Sequence, residues 1–332
     1  MSEPVLDVHN LRVAFRVHKS ELTALRDVSF SLYQGRTLAL VGESGSGKSV
    51  SALAIMGLLP KNGTVSGGTI HYRGSDDRAR DLTTASEAEM RALRGAKIAM
   101  IFQEPMSSLN PLFTIGDQIG EMLLLHSDLD AQARRRRVLE MLEVVEIPAA
   151  SSRLNSYPHE LSGGMRQRVM IALALVCNPA LLIADEPTTA LDVTIQAQVL
   201  DLMLRLQKEL GMSILFITHD MGVVAEMADD VAVMYAGAIV EQADAKRLFA
   251  NPSHPYTQGL LHSIPVPGRP EGERLVPIPG TVPPLQAMPP GCAFAPRCVR
   301  ADSACTQPVT LSEFGDNHRV ACFHAEPEAV DA

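Results

Sequence analysis

The sequence has no apolar segment long enough to cross a lipid bilayer. Its longest uninterrupted apolar run, Val169 to Cys177, is less than half as long as the roughly 20 residues that a membrane-spanning helix needs. The beginning of the chain contains Glu3 and Asp7 and lacks an apolar core, so we expect no secretion signal there. These absences predict a cytosolic protein, for which any link to a membrane must come through partners.

An excess of positive charge is also missing. The 332 residues include 29 lysines and arginines against 38 aspartates and glutamates, which gives a formal net charge of -9. Nucleic-acid phosphates attract basic surfaces, so non-specific binding of nucleic acid is not expected. With 46% apolar residues, the chain is long enough for one large α/β domain with an appendage, or for two modest domains.

Cysteines are few, and most of them lie close together. Cys177 lies in the apolar run and is expected to be a small core residue. The others, Cys292, Cys298, Cys305 and Cys322, fall near the end of the chain, which in a reducing cytosol indicates a metal site before disulfides. Their spacing contains no tight pair of the kind usual in zinc sites, and it suits a larger object such as an iron–sulfur cubane. Zinc, or no metal at all, remains an alternative.

The composition changes after Ser263. Nine prolines lie between Pro265 and Pro290, a density that excludes a helix or a central strand and predicts an extended linker. We therefore expect a main domain over residues 1–250 and a C-terminal extension over residues 251–332 that carries the cysteines. Within the extension, His318 and His324 are expected to be solvated rather than to ligate a metal.

Short apolar strands alternate with amphipathic helices over residues 1–250, a rhythm that is typical of an α/β layered domain. The pattern turns helical over about residues 104–160, which predicts a separate helical lobe. The expected strands include Leu38 to Val41, Ile98 to Phe102, Leu181 to Ala184, Ile214 to Thr218 and Val231 to Tyr235.

A glycine-rich turn follows the first of these strands. Its sequence, Gly-Glu-Ser-Gly-Ser-Gly-Lys-Ser, fits the phosphate-loop pattern GxxxxGK[ST] and precedes a predicted helix over Val50 to Leu59. Glycines let backbone N–H groups approach phosphate, and the helix N-terminus adds a favourable dipole. Lys48 would bridge the β- and γ-phosphates, and the Ser49 hydroxyl would bind Mg²⁺. The expected ATP-binding residues here are Gly42, Ser44, Gly45, Ser46, Gly47, Lys48, Ser49 and Val50.

Polar residues end three other predicted strands. Asp185 would hold the Mg²⁺ shell together with Ser49, and Glu186 would polarise the attacking water. Gln103 and His219 follow two further strands and face the crevice where α/β proteins bind ligands. We expect both to sense the γ-phosphate, with Gln103 also near Mg²⁺.

A second potential anion site follows Leu161. Ser162, Gly163 and Gly164 precede a predicted helix over Met165 to Val176, so the exposed helix N-terminus would attract phosphate. One ATP does not need two such cradles from one chain. We therefore expect this second cradle to complete the nucleotide site of a partner molecule.

Taken in this order, the phosphate loop, Gln103, the segment from Leu161 to Arg168, Asp185-Glu186, Leu191-Asp192 and His219 resemble the ATP-binding-cassette (ABC) family. The resemblance covers roughly residues 5–250. It implies a P-loop NTPase fold, hydrolysis of ATP, and a head-to-tail dimer with two ATP molecules at its interface. Closing and opening of that dimer would drive the attached membrane subunits.

The resemblance also implies roles for individual residues. Glu186 would be the general base, His219 would contact the γ-phosphate, and Gln103 would couple the nucleotide to the helical lobe that docks the permease. Asp192 would reach across the dimer. Met165 departs from the family, which most often has glutamine there, so one polar contact near the partner's nucleotide is expected to be missing.

The aromatic residue that usually stacks on adenine in the family is not obvious in this chain. Phe15 is the best candidate for that contact because of its distance upstream of the phosphate loop. The alternative is that Phe15 is simply a core residue of its strand.

Within the family, the chain is similar to the ATP-binding subunits of dipeptide and oligopeptide importers. The similarity rests on six segments: Val41 to Ser44, Gln103 to Pro105, Ser108 to Pro111, Tyr157 to Met165, Asn251 to Thr257 and Gly291 to Cys298. It implies a paralogous ATP-binding subunit as dimer partner, two permease subunits, an extracytoplasmic peptide-binding protein, and a peripheral position on the cytoplasmic face of the inner membrane. It also implies a 4Fe–4S cluster on the four C-terminal cysteines.

Other functions are less well supported by the sequence. It lacks the Asn/Thr-Lys-x-Asp segment of a GTPase. It contains one cassette, whereas a translation-associated or resistance ATPase normally carries two. It also leaves no room for the coiled coil of a DNA-repair ATPase. Importers of nickel, glutathione and other small solutes share many of the motifs, and a non-transport regulatory ABC ATPase also remains open.

Overall fold

The structure is a computed structural model that describes residues 3–18, 20–74, 78–103, 108–189, 191–264, 277–315 and 317–325. The chain divides into two compact units. The first unit contains Met1–Val5, Leu32–Arg36 and Tyr72–Phe216, and the second contains Leu6–Ser31, Thr37–His71 and Ile217–Ala332. The predicted division at residue 250 stays a prediction.

Strands and helices alternate along most of the chain. The strands are β1 (Pro4–Val17), β2 (Ser20–Tyr33), β3 (Thr37–Val41), β4 (Gly63–Arg73), β5 (Ala79–Asp81), β6 (Ile98–Ile101), β7 (Leu181–Asp185), β8 (Ser213–Thr218), β9 (Asp230–Tyr235), β10 (Ala238–Asp244), β11 (Ser312–Gly315) and β12 (His318–Val320). The α-helices are α1 (Lys48–Ile55), α2 (Glu87–Leu93), α3 (Ile115–His126), α4 (Ala131–Val144), α5 (Ala150–Arg153), α6 (Gly163–Leu175), α7 (Val193–Leu210), α8 (Met221–Met227), α9 (Ala245–Ala250) and α10 (Pro255–His262).

In the first unit, β6 pairs in parallel with β7, with Ile98 opposite Leu181 and Ile101 opposite Ala184. Every residue of β7 is buried, as expected for a parallel strand that is covered on both faces. Helix α6 packs against β6 and against α3, α4 and α7. Polar side chains cap the helices at their first turn: Ser162 caps α6 and Asp192 caps α7, and each accepts a hydrogen bond from a backbone N–H three residues later.

In the second unit, β3 pairs in parallel with β9, and β9 pairs antiparallel with β10. The short strand β12 of the C-terminal extension adds to β10, and β11 adds to β12. A buried core joins the strand residue Tyr235 to Tyr256 of α10 and Phe294 of the extension. The extension therefore shares the hydrophobic core of the second unit.

The predicted strands are confirmed, with ends that differ by one residue at most. The helix predicted over Val50 to Leu59 begins earlier and ends earlier, at Lys48–Ile55. Gly47 is its N-cap, with φ 106°, and Gly57, with φ 61°, has a left-handed conformation that does not continue a helix. The predicted helix over Met165 to Val176 likewise begins earlier, at Gly163.

The predicted helical lobe contains α3, α4 and α5, while residues 104–107 of it lie outside the described residues. The first part of the predicted linker, residues 265–276, also lies outside them, and residues 277–290 contain no strand or α-helix. Cys177 is only part-buried, so the prediction of a core position for it was wrong. Within the part of the chain that the structure describes, no helix has both the length and the apolar character that crossing a membrane requires.

Candidate functional site

The phosphate loop connects β3 to α1 in the second unit. Lys48 is 5% exposed, and its ammonium donates hydrogen bonds to the carbonyl oxygens of Gly42 (2.7 Å) and Glu43 (3.0 Å). This places a buried positive charge over the loop at the beginning of α1, where the helix dipole also favours an anion. Ser49 and Val50 lie in the first turn of that helix.

Close packing explains why the loop needs glycine. A Cβ on Gly42 would collide with the carbonyl oxygen of Met234, and a Cβ on Gly47 would lie 2.7 Å from the side chain of Leu25. The backbone of the loop therefore lies against β9, and its turn at Gly45 stays exposed. A narrow backbone cradle beside a buried lysine fits a nucleotide phosphate.

Two other predicted nucleotide contacts lie in the second unit. The half-buried ring of Phe15 on β1 faces the backbone of β4, since a Cβ on Gly63 would lie 2.7 Å from it. His219 is exposed directly after β8, as predicted. The next residue, Asp220, caps α8 and thereby fixes the position of the turn. The roles of Phe15 and His219 toward a nucleotide stay predictions.

In the first unit, the structure brings Gln103 and Glu186 together. Asp185 ends β7 and is 4% exposed. Glu186 follows with φ 47°, a left-handed conformation that is costly for a residue other than glycine. Its carboxylate accepts hydrogen bonds from the Gln103 amide (3.4 Å) and from the Thr189 hydroxyl (2.9 Å). Thr189 was not predicted from the sequence, although its position three residues after the candidate base was a usable signal.

The second predicted anion cradle forms the N-terminus of α6, also in the first unit. The Ser162 hydroxyl accepts a hydrogen bond from the Met165 N–H, and Ser162 and Gly163 are exposed. A Cβ on Gly163 would meet no atom within 4 Å, whereas one on Gly164 would lie 2.9 Å from Ile195. Asp192 is exposed at the beginning of α7 and accepts a hydrogen bond from the Ile195 N–H.

A buried glutamine that was not predicted from the sequence joins this helix to the candidate catalytic loop. Gln167 of α6 is fully buried, and its amide donates a hydrogen bond to the carbonyl oxygen of Pro187, next to Glu186. An amide in this position holds the loop after β7 against the helix whose N-terminus forms the second cradle. A polar residue in an otherwise apolar helix face was the available signal.

All four C-terminal cysteines line one small cavity in the second unit, together with apolar side chains that include Phe294 and Val309. None of them forms a disulfide. Burial raises the pKa of Cys292, Cys298 and Cys322, and neighbouring thiols raise these pKa values further. Such thiols become thiolates where a metal compensates their charge, so the donor set fits a metal group.

The extension is attached at both ends to one buried carboxylate. Glu241 of β10 accepts hydrogen bonds from the backbone N–H groups of Ser253 (2.7 Å) and His254 (2.9 Å). It also accepts one from Nε2 of His318 (2.8 Å), whose Nδ1 accepts from Arg247. Because His318 is 1% exposed, the prediction that it is solvated was wrong. His324 is part-buried and lines the cysteine cavity.

Burial and hydrogen bonding oppose each other at Glu241. Burial alone would raise the pKa of this carboxyl group, but the hydrogen bonds from His318 and from the two backbone N–H groups favour the ionised form and lower it. An ionised carboxylate is therefore maintained inside the fold. Glu241, a charged residue within a mostly buried strand, was not predicted from the sequence.

Comparison with known proteins agrees with this geometry. The chain matches the family described as ABC transporter over residues 25–189, and the oligopeptide/dipeptide transporter C-terminal region over residues 240–305. It is 54% identical over 328 residues to a putative peptide import ATP-binding protein of Brucella ovis, covering 97% of each chain. It is 50% identical over 332 residues to the dipeptide transport ATP-binding protein of Bacillus subtilis, covering 99% of this chain and 97% of the relative.

Solved structures give the same result for the fold. The ATP-binding cassette MJ0796, described as a dimer in a post-hydrolysis state bound to ADP and Pi, superposes with a TM-score of 0.63 at 27% identity. That superposition covers 72% of this chain and 98% of the cassette. The protein cbiO1 of Clostridium perfringens superposes with a TM-score of 0.63 at 29% identity and covers 75% of this chain and 92% of its own. The chain contains a phosphate loop and an Asp185-Glu186 pair, and its relatives match nearly its whole length. It therefore belongs to the ABC transporter family of ATP-hydrolysing cassettes.

Proposed function

We propose that this chain hydrolyses ATP to energise the import of peptides across a membrane, as the nucleotide-binding subunit of an ABC importer. The observation that carries the proposal is the pairing of a cassette with an oligopeptide/dipeptide transporter C-terminal region in one chain. The relatives named above as peptide and dipeptide import proteins support the same solute class.

The hydrolytic chemistry would be shared among the residues predicted from the motifs. Lys48 and the backbone of the phosphate loop would hold the triphosphate, while Glu186 would accept a proton from the attacking water. Gln103 and Thr189 orient the Glu186 carboxylate through the hydrogen bonds described above. Ser49, Asp185 and Gln103 would hold Mg²⁺, which when bound neutralises the charge that develops on the phosphates.

The cradle at the N-terminus of α6 would complete the nucleotide site of a partner cassette. The exposure of Ser162 and Gly163, and the open space beside Gly163, support contact with another molecule. Asp192 would reach across the same interface, and His219 would contact the γ-phosphate of its own nucleotide. We propose a paralogous ATP-binding subunit as the partner.

The helical lobe would dock the permease. Four of its apolar side chains are more than half exposed, Leu112 at 80%, Phe113 at 54%, Leu124 at 58% and Leu125 at 67%. A cleft of about 1030 Å³ lies beside them, between α3 and α4. Large exposed apolar side chains next to a cleft are typical of a protein interaction site. The complex would contain two permease subunits and an extracytoplasmic peptide-binding protein, and this chain would sit on the cytoplasmic face of the inner membrane.

The four-cysteine cavity would hold a 4Fe–4S cluster. Among the described residues, the set of possible metal ligands whose donor atoms all lie within 4.8 Å of one another is Asp302, Cys305 and His324. Four thiolates around one zinc ion would have sulfurs about 3.8 Å apart, since zinc–sulfur bonds are about 2.3 Å long. Among the residues that the structure describes, the four cysteine sulfurs do not form such a close set, so a cluster fits them better than a single zinc ion. Zinc on the Asp302 set is the second candidate, and anaerobic purification followed by iron, sulfide and zinc analysis separates the two.

The transport proposal is tested with a deletion strain and with the purified complex. Loss of growth on defined dipeptides or oligopeptides, restored by the wild-type gene and not by a Glu186→Gln gene, is the expected result. Loss of nickel or glutathione uptake instead would assign another solute. Failure to co-purify with integral-membrane subunits would favour a regulatory ABC ATPase.

A further inference from the structure

The backbone and side-chain polar groups of Glu43, in the phosphate loop, all form hydrogen bonds within the second unit. Its backbone N–H donates to the Tyr256 hydroxyl (2.8 Å), and its carbonyl oxygen accepts from the Lys48 ammonium (3.0 Å). Its carboxylate accepts two hydrogen bonds from the Arg297 guanidinium, at 2.6 and 3.0 Å. The residue that holds the phosphate-binding lysine is thus itself held by two side chains from beyond residue 250.

Arg297 is well placed to hold the loop firmly. Its side chain is 3% exposed, against 32% for Glu43, and its Nε donates to the carbonyl oxygen of Pro279 at 2.7 Å. The hydrogen bonds to Glu43 raise the pKa of Arg297, so its charge is permanent. Two parallel hydrogen bonds between a guanidinium and a carboxylate fix both distance and orientation. Loss of either partner would leave a poorly solvated charge, which is costly.

The second contact depends on an aromatic cluster. The Phe294 ring lies 5.2 Å from that of Tyr235 and 5.4 Å from that of Tyr256, measured between ring centroids. Tyr235 and Tyr256 lie 4.7 Å apart in an edge-on arrangement. Phe294 therefore sets the position of the Tyr256 ring, whose hydroxyl accepts the hydrogen bond from Glu43.

Phe294 and Arg297 lie on one short turn between two of the cysteines. Hydrogen bonds run from the Ala295 N–H to the Cys292 carbonyl oxygen and from the Cys298 N–H to that of Ala295. Cys292, Phe294 and Cys298 all line the cysteine cavity. A group bound to the sulfurs at both ends of this turn would fix the two side chains that reach the phosphate loop.

We propose that Arg297 and Tyr256 are positioning residues for the phosphate loop, and that occupation of the four-cysteine site increases the affinity of the loop for nucleotide. The first part follows from the contacts alone, and the second rests on the proposed metal group. Coupling between binding sites is reciprocal, so bound nucleotide would strengthen retention of the group by the same factor.

The first experiment measures the dissociation constant of a fluorescent N-methylanthraniloyl ATP on the anaerobically purified full chain. Arg297→Gln is expected to weaken binding about tenfold, as for loss of one charge-assisted contact. The matched control is Arg300→Gln, an exposed arginine on the same segment, which is expected to bind like the wild type. Tyr256→Phe keeps the ring and removes only the hydroxyl, and it is expected to lose affinity by a smaller factor.

Two readouts separate positioning from misfolding. Arg297→Gln is expected to keep the iron and sulfide content of the wild type, which reports a folded extension. The double variant Glu43→Gln/Arg297→Gln is expected to bind nucleotide no more weakly than whichever of the two single variants has the lower affinity, because both changes remove the same contact. Equal affinity of Arg297→Gln and wild type would overturn the inference.

The second experiment compares the loaded wild-type chain with the same preparation stripped of metal by a chelator. Stripping is expected to weaken nucleotide binding several-fold in the wild type and to have little further effect in Arg297→Gln. Unchanged affinity of the stripped wild type would overturn the coupling. A loaded wild-type chain that binds no nucleotide would instead contradict the proposed ATPase function, and a preparation without metal would contradict the cluster while Arg297→Gln still decides the positioning role.

Discussion

Glu186 has a strained backbone at the position where the chemistry is proposed. Its φ of 47° costs roughly 1–2 kcal/mol for a residue other than glycine, and such strain persists where surrounding contacts hold it. Asp185, the residue before it, is buried at the end of β7. The Thr189 hydroxyl donates a hydrogen bond to the Glu186 carboxylate. The strain therefore directs a carboxylate to a fixed position.

The change Glu186→Gln is expected to lower ATP turnover by at least about 100-fold, because a general base contributes roughly that much and an amide cannot accept the proton. Nucleotide binding should be kept, since the amide retains the size of the side chain. Phosphate release and ATP affinity are the two measurements. Glu209→Gln, an exposed glutamate at the end of α7, is the control. Undiminished turnover would contradict the assignment of the base.

The buried Glu241 makes stability depend on pH. Its pKa is lower in the folded chain than in the unfolded one, so its ionised form stabilises the fold above about pH 4.3 and this stabilisation is lost as the pH falls further. Glu241→Gln is expected to cost about 1.5–3 kcal/mol at pH 7, the usual range for hydrogen bonds to a charged group, and the difference from wild type should shrink toward pH 4.

Denaturant titrations at pH 7 and pH 4 measure this effect as the free energy of unfolding. Glu313→Gln, on the same extension and 74% exposed at its side chain, should change it little at either pH. A difference between Glu241→Gln and wild type that grows toward acid pH would contradict the assigned direction of the pKa shift.

At the scale of elements, helix α6 begins with two glycines for which we expect different roles, one functional and one structural. Gly163→Ala places a methyl group in open space, so the melting temperature should match the wild type while ATP turnover falls. Gly164→Ala places its Cβ 2.9 Å from Ile195 and should lower the melting temperature as well. Thermal unfolding and phosphate release of both variants check this. Full activity of Gly163→Ala would argue against the second cradle.

The order of the elements could be predicted from the sequence because local rules determine it. Apolar strands such as β3 and β7 lie between turn signals, and both were found within one residue of their predicted ends. The beginning of α1 was predicted too late because its N-cap is Gly47, which has a left-handed conformation and lies close to Leu25. Such a contact between residues distant in sequence leaves no local pattern.

The same reason explains which site residues were missed. Lys48 and Glu186 follow from motifs, whereas Glu241 and Arg297 acquire their contacts only when the C-terminal extension folds onto β9 and β10. His318 was expected in solvent for the same reason, since a three-residue strand gives no sign of burial. Sequence motifs therefore predict the residues of the nucleotide chemistry, but they do not predict the contacts between the phosphate loop and the extension.

At the scale of the whole molecule, two cradles in one chain predict assembly that depends on ATP. Glu186→Gln with the proposed paralogous partner and ATP should elute as a dimer, because unhydrolysed nucleotide would stay bound between the two cassettes. Size-exclusion chromatography with light scattering, with and without ATP, provides the measurement. Full activity of the purified chain alone as a homodimer would contradict the paralogous partner.

The pairing of β12 with β10 also has a consequence for solubility. An uncovered strand edge offers unpaired N–H and C=O groups to any other chain, which makes it a template for aggregation. Glu241 and Gln242 on β10 are instead aligned with Val320 and Arg319 of β12. Removing β11 and β12 would therefore expose the unpaired edge of β10 and promote aggregation. The cassette and its extension should accordingly be expressed and engineered together.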